Sequence, residues 1–519
     1  MAKISRSTER SIKTVAKGAG IFFIALIVSR ALGYLTRMII ARYYGPSGYG
    51  LVYFGASVAG LLGVICTFGL PFALERFIPE FRVKKQLGKI KGAITGSLKL
   101  VLFLSIVSGA LLFLFAPQIS KIFFGNYTLT NILRIFSVYI PFYSVSSIFV
   151  FSTRGFKTVK YDVYSLKFGQ SFITLIFVLF FVVSGAGVWG AAMSYTIAVI
   201  SAATLSFYFL EKRVFPILKT KIKSKNITRE LLKFSAPLML SRLMWTLVIY
   251  IDTIMIGYFL NANQVGIYQA AGPTSQLMMV TTASITALFL PVITDLFSRK
   301  KINDLKNVYV AVTKWIFYVN LPFLFIFLLF SRAILNVFFG SEFVSGFLVL
   351  SLLSSGYAML SISDVSSHII NLLKKTKLHF YNNLVSVVLA IILNLLLIPT
   401  YGINGAAIAT ASTLFILSFL RIFEAYYLSK IWPFKPSILK SLLAVVISGS
   451  ITILIKGFLV PSLVMLFLLG IFFFIFYAFL LLIFRALDKE DVLILKSIEQ
   501  KTGLRIEWLR NLIKKFTKS

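Results

Sequence analysis

Long apolar runs follow one another from near the N-terminus to about residue 485. A helix needs about 20 mostly apolar residues to cross a bilayer. Within lipid each backbone polar group must be satisfied inside its own segment, which leaves these runs the helix. Fourteen spans are predicted, at 18–42, 48–74, 92–116, 128–152, 164–184, 187–211, 232–258, 264–291, 308–331, 343–371, 379–399, 403–427, 437–457 and 460–485. The chain of 519 residues is 58% hydrophobic and 13% charged. A soluble protein carries about 25% charged residues. The expected fold class is all-α, a polytopic membrane protein with about 14 transmembrane helices. The first run is too long for a signal-peptide core and lacks a small-residue cleavage site, so it is expected to remain as a helix.

The formal net charge is +36. Its placement argues against nucleic acid as the partner. Basic residues cluster after even-numbered spans, as in Arg82-Val83-Lys84-Lys85, Arg154 to Lys167, Lys212 to Lys233, Arg299-Lys300-Lys301 and Lys374-Lys375-Thr376-Lys377. Loops after odd-numbered spans are short and nearly neutral, such as Asn261-Ala262-Asn263-Gln264. By the positive-inside rule both termini lie in the cytoplasm, and the protein is expected in the cell membrane. Anionic membrane lipids are the expected partner of the basic loops.

An internal repeat organises the chain. Phe123-Phe124-Gly125 recurs as Phe338-Phe339-Gly340, 215 residues on. Gly187-x-x-Gly190-Ala191-Ala192 recurs as Gly402-x-x-Gly405-Ala406-Ala407 at the same offset, and Gly50 answers Gly266 at 216. Six spans per repeat give both halves one orientation, so a pseudo-twofold axis runs along the membrane normal with a site between the halves. The expected domains are a cytoplasmic tail 1–17, a six-helix lobe 18–211, a basic linker 212–231, a second six-helix lobe 232–427, two extra spans 428–485 and an amphipathic cytoplasmic tail 486–519.

Charges inside spans are few. Arg30 and Arg37 stand seven residues apart, nearly two turns, on one face of the first span. An arginine at bilayer depth is costly unless it faces a partner or a water-filled cavity. The pair reads as a cationic stripe awaiting an anion, or as a structural pairing with a neighbouring helix. The second half holds Arg242, Asp252, Asp364 and His368. Asp364 and His368 stand at i and i+4 and can touch. With Asp252 they are candidates for gating or ion coupling, since histidine titrates near neutrality. Arg421 and Glu424 read as an interfacial ion pair. No G-x-x-x-x-G-K-[ST] phosphate loop is present. Two histidines and one cysteine, Cys66, offer no metal-ligand spacing. The expectation is no enzyme, no cofactor and no metal.

Ala41-Arg42-x-x-Gly45-Pro46-x-x-Tyr49-Gly50, followed by Gly69-Leu70-Pro71, resembles the start of the polysaccharide repeat-unit flippases. Pro237, then Asp252-x-x-x-x-Gly257, then Val265-Gly266-x-Tyr268 agree in the second half. The superfamily also holds the lipid II flippases and the multidrug and toxin extruders. The resemblance implies two lobes that rock about a cavity and carry a polyprenyl-diphosphate-linked sugar outward by alternating access. It implies Arg30, Arg37 and Arg242 as substrate ligands, since arginine binds phosphate oxygens as a bidentate fork. A proton or sodium ion is the expected coupling partner, and the chain is read as a monomer. The alternative is an antiporter exporting organic cations. Because Asp252 sits at the repeat position beside Arg37, the two are expected to pair across the lobes when the outer side closes; the rival expectation keeps Asp252 bonded within its own lobe, to a tyrosine or a backbone group.

Overall fold

A computed structural model describes residues 6–219, 222–457, 463–488 and 491, and among them the chain is helical with no strand. It divides into two compact units, Met1–Gln269 and Ala270–Ser519.

The first unit contains α1 (Arg6–Thr67), α2 (Leu70–Val83), α3 (Leu87–Phe123), α4 (Tyr127–Gly155), α5 (Lys160–Asp162), α6 (Phe168–Val183), α7 (Trp189–Phe209), α8 (Thr228–Phe259) and the start of α9 (Ala262–Ser275). The first two predicted spans form one helix with a kink. Gly45 makes that kink at φ 66° and ψ −178°, which a residue with a Cβ rarely adopts. Pro46 then restarts the helix, where its missing N–H costs nothing. The resembling motif around Gly45-Pro46 is therefore a hinge in the backbone rather than a loop. A π-helical turn, Val163–Lys167, joins α5 to α6. Its wider winding re-aims the side chains that follow, a feature often found at functional sites.

Apolar packing fixes these helices. Leu70, Leu74 and Ile78 of α2 are fully buried against Ile90 and Ile94 of α3, Ile148 of α4 and Leu231 of α8. Cys66 packs inside the second predicted span, its thiol 3.6 Å from the Leu104 carbonyl. The linker is tied down at both ends. The Glu211 carboxylate accepts the amides of Ile217 (2.6 Å) and Leu218 (3.2 Å), and the Lys225 amide donates to the Gly88 carbonyl (2.9 Å).

The second unit holds the rest of α9, then α10 (Met278–Ser298), α11 (Ile302–Leu329), α12 (Ser331–Phe338), α13 (Phe347–Leu372), α14 (Lys377–Ser429), α15 (Ser437–Gly457) and α16 (Leu463–Ile483). α14 joins two predicted spans across a kink at Gly402, three residues after Pro399. The predicted span 264–291 is broken between α9 and α10, just after Pro273. Tyr309, Val312 and Ile316 of α11 pack on Val365, Ile369 and Ile370 of α13.

Among the described residues ten segments are long and apolar enough to cross a membrane, by length and composition. Two of them, Ile27–Val83 and Lys377–Ser429, each hold two predicted spans. With α9–α10 and the apolar Phe467–Ile483, the described helices are consistent with fourteen spans. The repeat is visible in the backbone. Each Phe-Phe-Gly run ends a helix, with Gly125 at φ 59° and Gly340 at φ 115°. Lys85 and Lys300, again 215 apart, both close helix ends at positive φ, 54° and 57°.

One buried charge was not foreseen. Lys314 of α11 is fully buried, and its ammonium lies 2.7 Å from Asp491 and 3.0 Å from Asp488. Lys435 lies 3.4 Å from Asp488, and the Trp315 indole donates to Asp491 at 2.8 Å. Two cations thus balance two carboxylates and tie the chain after α16 to α11. The expected amphipathic tail 486–519 lies outside the described residues except for 486–488 and Asp491.

Candidate functional site

The predicted site residues separate into three settings. Arg30 lies on α1 and is exposed. One residue before it, the Ser29 hydroxyl donates to the Lys167 carbonyl (3.0 Å) and bonds the Ser171 hydroxyl (2.8 Å). α1 is thereby pinned to the π turn and the start of α6. Lys167 ends that turn, partly buried, within electrostatic reach of both Arg30 and Arg242. Arg242, on α8, is exposed as well. An arginine facing lipid would be costly. Both arginines lie within electrostatic reach of Lys167, so the three cations share one neighbourhood. Asp162 also reaches Lys167 electrostatically, but it is buried and ion-paired with Arg154. The three cations are therefore left with an excess of positive charge.

Arg37 has different surroundings. Its guanidinium lies 4.1 Å from the centroid of the Tyr53 ring and donates to the Tyr49 hydroxyl at 3.2 Å. The Tyr53 and Tyr195 hydroxyls are 2.6 Å apart. Tyr49 donates in turn to the Gln269 carbonyl at 3.3 Å. Tyr139 and Tyr143 stack in parallel at 5.5 Å, and Tyr250 lies within electrostatic reach of Arg37 and Arg242. Among the described residues no carboxylate lies within ion-pair distance of Arg37. Tyr250 thus lies within electrostatic reach of both Arg37 and the cationic cluster.

Of the two expectations for Asp252, the contact with Arg37 is not formed and the bond to a tyrosine of its own lobe is. Asp252 is buried and accepts a hydrogen bond from the Tyr268 hydroxyl. The local partner wins because Tyr268 projects from the adjacent α9. In the second unit Asp364 and His368 approach to 3.6 Å, as their spacing predicted. Arg421 and Glu424 form no ion pair. Glu424 accepts from the Asn382 amide at 2.7 Å, while Arg421 Nε is buried without a hydrogen-bond partner.

Two sets of residues escaped the sequence reading. Lys167 was counted among the loop cations, and only the π turn brings it to Arg30. The tyrosines carried a usable signal. Tyr49 with Tyr53, and Tyr139 with Tyr143, repeat at i, i+4 and so share helix faces.

Residues 15–297 match the model of the family described as polysaccharide biosynthesis protein, more than half of the chain. The chain belongs to the polysaccharide biosynthesis protein family. This makes it a multi-pass membrane transporter rather than an enzyme. Residues 237–396 also match the MatE family model. Among similar proteins is a probable low-salt glycan biosynthesis flippase, Agl15, of Haloferax volcanii. It is 27% identical over 414 residues, covering 78% of this chain and 82% of the relative. Stage V sporulation protein B of Bacillus subtilis is 23% identical over 477 residues, 86% of this chain and 90% of the relative. This member of the polysaccharide biosynthesis protein family shares its fold with the lipid II flippase MurJ in an inward closed conformation. That match has a TM-score of 0.73 and 18% identity, covering 89% of this chain and 98% of that one.

Proposed function

We propose that this protein flips a polyprenyl-diphosphate-linked oligosaccharide from the inner to the outer leaflet by alternating access, for assembly of a cell-surface glycan. The observation that carries this reading is the seating of α1 at Ser29 on the Lys167 backbone and Ser171, which sets Arg30 beside a lysine that Arg242 also reaches electrostatically. Three cations with excess positive charge suit a diphosphate. Arginine offers it a bidentate fork and lysine a point charge. The likeness to Agl15, a probable low-salt glycan biosynthesis flippase, supports a glycan cargo. With both termini in the cytoplasm, as the basic loops indicate, the cluster would be reached from the loading side.

A cation antiporter is the second reading, favoured by the MatE match over residues 237–396. Cationic cargo suits an acidic recess, whereas this one is basic. Asp252, Asp364 and His368 are proposed for gating or for coupling to a proton or sodium ion. Anionic lipids are proposed to bind the basic loops. A cleft of about 800 Å³ lined by Lys374, Lys375, Lys377, Phe423 and Tyr427 offers them a seat.

The decisive experiment uses purified protein in liposomes. Flipping of a fluorescent lipid-diphosphate sugar is followed beside export of a cationic dye, with pH and sodium varied. Sugar flipping without dye export supports the proposal. Dye export alone sinks it, and indifference to pH, sodium and potential removes any coupling role for the three residues.

A further inference from the structure

We propose that Arg37 and its tyrosines form a subsite for a carboxylated sugar, so that the glycan carried includes a uronic acid near its lipid-linked end. The proposal rests on the lipid-diphosphate reading above and deepens it. Arg37 lies seven residues beyond Arg30, about 10 Å along α1 at 1.5 Å rise per residue. With the diphosphate held at Arg30, Lys167 and Arg242, the attached sugars extend towards Arg37. That distance is the length of a short sugar chain.

The phenols suit such a cargo. The apolar C–H face of a pyranose lies well on an aromatic ring, and phenol hydroxyls match sugar hydroxyls. The stacked Tyr139–Tyr143 pair offers a flat face, and the Tyr53–Tyr195 pair offers paired hydroxyls. These groups alone would serve a neutral glycan. Arg37 adds a full positive charge inside the helix bundle, among neutral groups. The ring of Tyr53 offsets part of its desolvation, by about 0.5–2 kcal/mol. The Tyr49 hydroxyl, accepting from the guanidinium, offsets more of it, and a carboxylate would add a full opposite charge.

A guanidinium has five N–H donors, and its side-chain contact to Tyr49 uses one. The other donors have the planar geometry that matches a carboxylate. A neutral sugar would leave the charge unmatched. A second phosphate would meet one arginine here, where the cluster at Arg30 offers three cations. A single carboxylate on a sugar ring matches both the charge and the aromatic walls.

The test uses the full-length protein in liposomes with two synthetic polyprenyl-diphosphate disaccharides, one ending in glucuronic acid and one in glucose. Wild type is expected to flip the uronate at least tenfold more efficiently at low substrate. Arg37→Gln should collapse the ratio to within threefold, whatever its overall rate. Equal flipping of both lipids by wild type overturns the inference and leaves the lipid-diphosphate reading standing. A preference that survives Arg37→Gln also overturns it. Flipping of neither lipid overturns both readings. Should Arg37→Gln not fold, the wild-type ratio decides alone, with Tyr53→Phe, which keeps the ring and loses the hydroxyl, expected to retain a preference for the uronate.

Discussion

Gly50 and Gly266 meet backbone to backbone. A Cβ on residue 50 would fall 1.9 Å from the Ala262 carbonyl oxygen, and one on residue 266 would fall 1.9 Å from that of Pro46. The two glycines hold matching positions in the repeat, so symmetry-related backbones touch where α1 and α9 begin their runs after Gly45 and Asn261. Small residues permit that approach.

Gly50→Ala should therefore force the two backbones apart. The expected loss of stability is about 1–3 kcal/mol, as for overpacked sites. Gly33→Ala, on the same helix, is the control, because its Cβ would meet nothing within 4 Å. Helix propensity predicts a gain there of up to about 1 kcal/mol. Melting of both variants in detergent checks the pair. A Gly50→Ala protein as stable as Gly33→Ala would show that α1 and α9 do not hold this contact.

The Lys314 network offers a second test. Removing one member of a buried pair leaves a charge uncompensated, at a cost of about 3–5 kcal/mol. Lys314→Met alone, or Asp491→Leu alone, should lower the melting temperature sharply. The double variant should recover most of it, and additive losses would argue against direct pairing. Acid probes the same network. Burial pushes the Asp488 carboxyl up, but the hydrogen bond and charge of Lys314, joined by Lys435, bring it below its ordinary value of 3.8. A depressed folded pKa contributes stability that is complete above the ordinary value and lost as pH falls through the folded one. Wild type should thus lose stability below about pH 4, and Asp488→Asn should flatten that part of the profile.

These residues also mark how far the sequence could be read. Apolar runs and basic loops gave the helices and their number, because membrane crossing depends on local composition. The Gly45 and Gly402 hinges fell at predicted span boundaries, although composition does not distinguish a hinge within one helix from a loop. Asp364 and His368 were legible because i, i+4 contact is local. Lys314 was not, since its partner Asp491 lies 177 residues away. The Arg37–Asp252 expectation reasoned from repeat symmetry, which fixes depth but not the rotation of a side chain. Tyr268, on the adjacent helix, holds the carboxylate, which is the local bond the rival expectation named.

Lys167 provides the sharpest test of the cationic cluster, because sequence pattern assigns it to a loop. Its carbonyl accepts from Ser29, a backbone contact that substitution leaves in place. Lys167→Gln should therefore keep α1 joined to the π turn and remove only the ammonium. A charge-assisted hydrogen bond is worth about 1.5–3 kcal/mol, which corresponds to roughly a 10–150-fold loss of efficiency at low substrate. The loss should fall mainly on apparent affinity for the lipid diphosphate, and Lys167→Arg should restore much of it. Lys160→Gln is the control. Lys160 belongs to the same basic stretch, but its ammonium lies 5.0 Å from the ring centroid of Tyr161. Salt separates a bound cation from a loop cation further. Raising ionic strength should weaken wild-type binding more steeply than that of Lys167→Gln, because each phosphate contact contributes its own salt dependence. Equal flipping by Lys167→Gln and wild type, with equal salt dependence, would remove Lys167 from the site and leave Arg30 and Arg242 to hold the diphosphate without it.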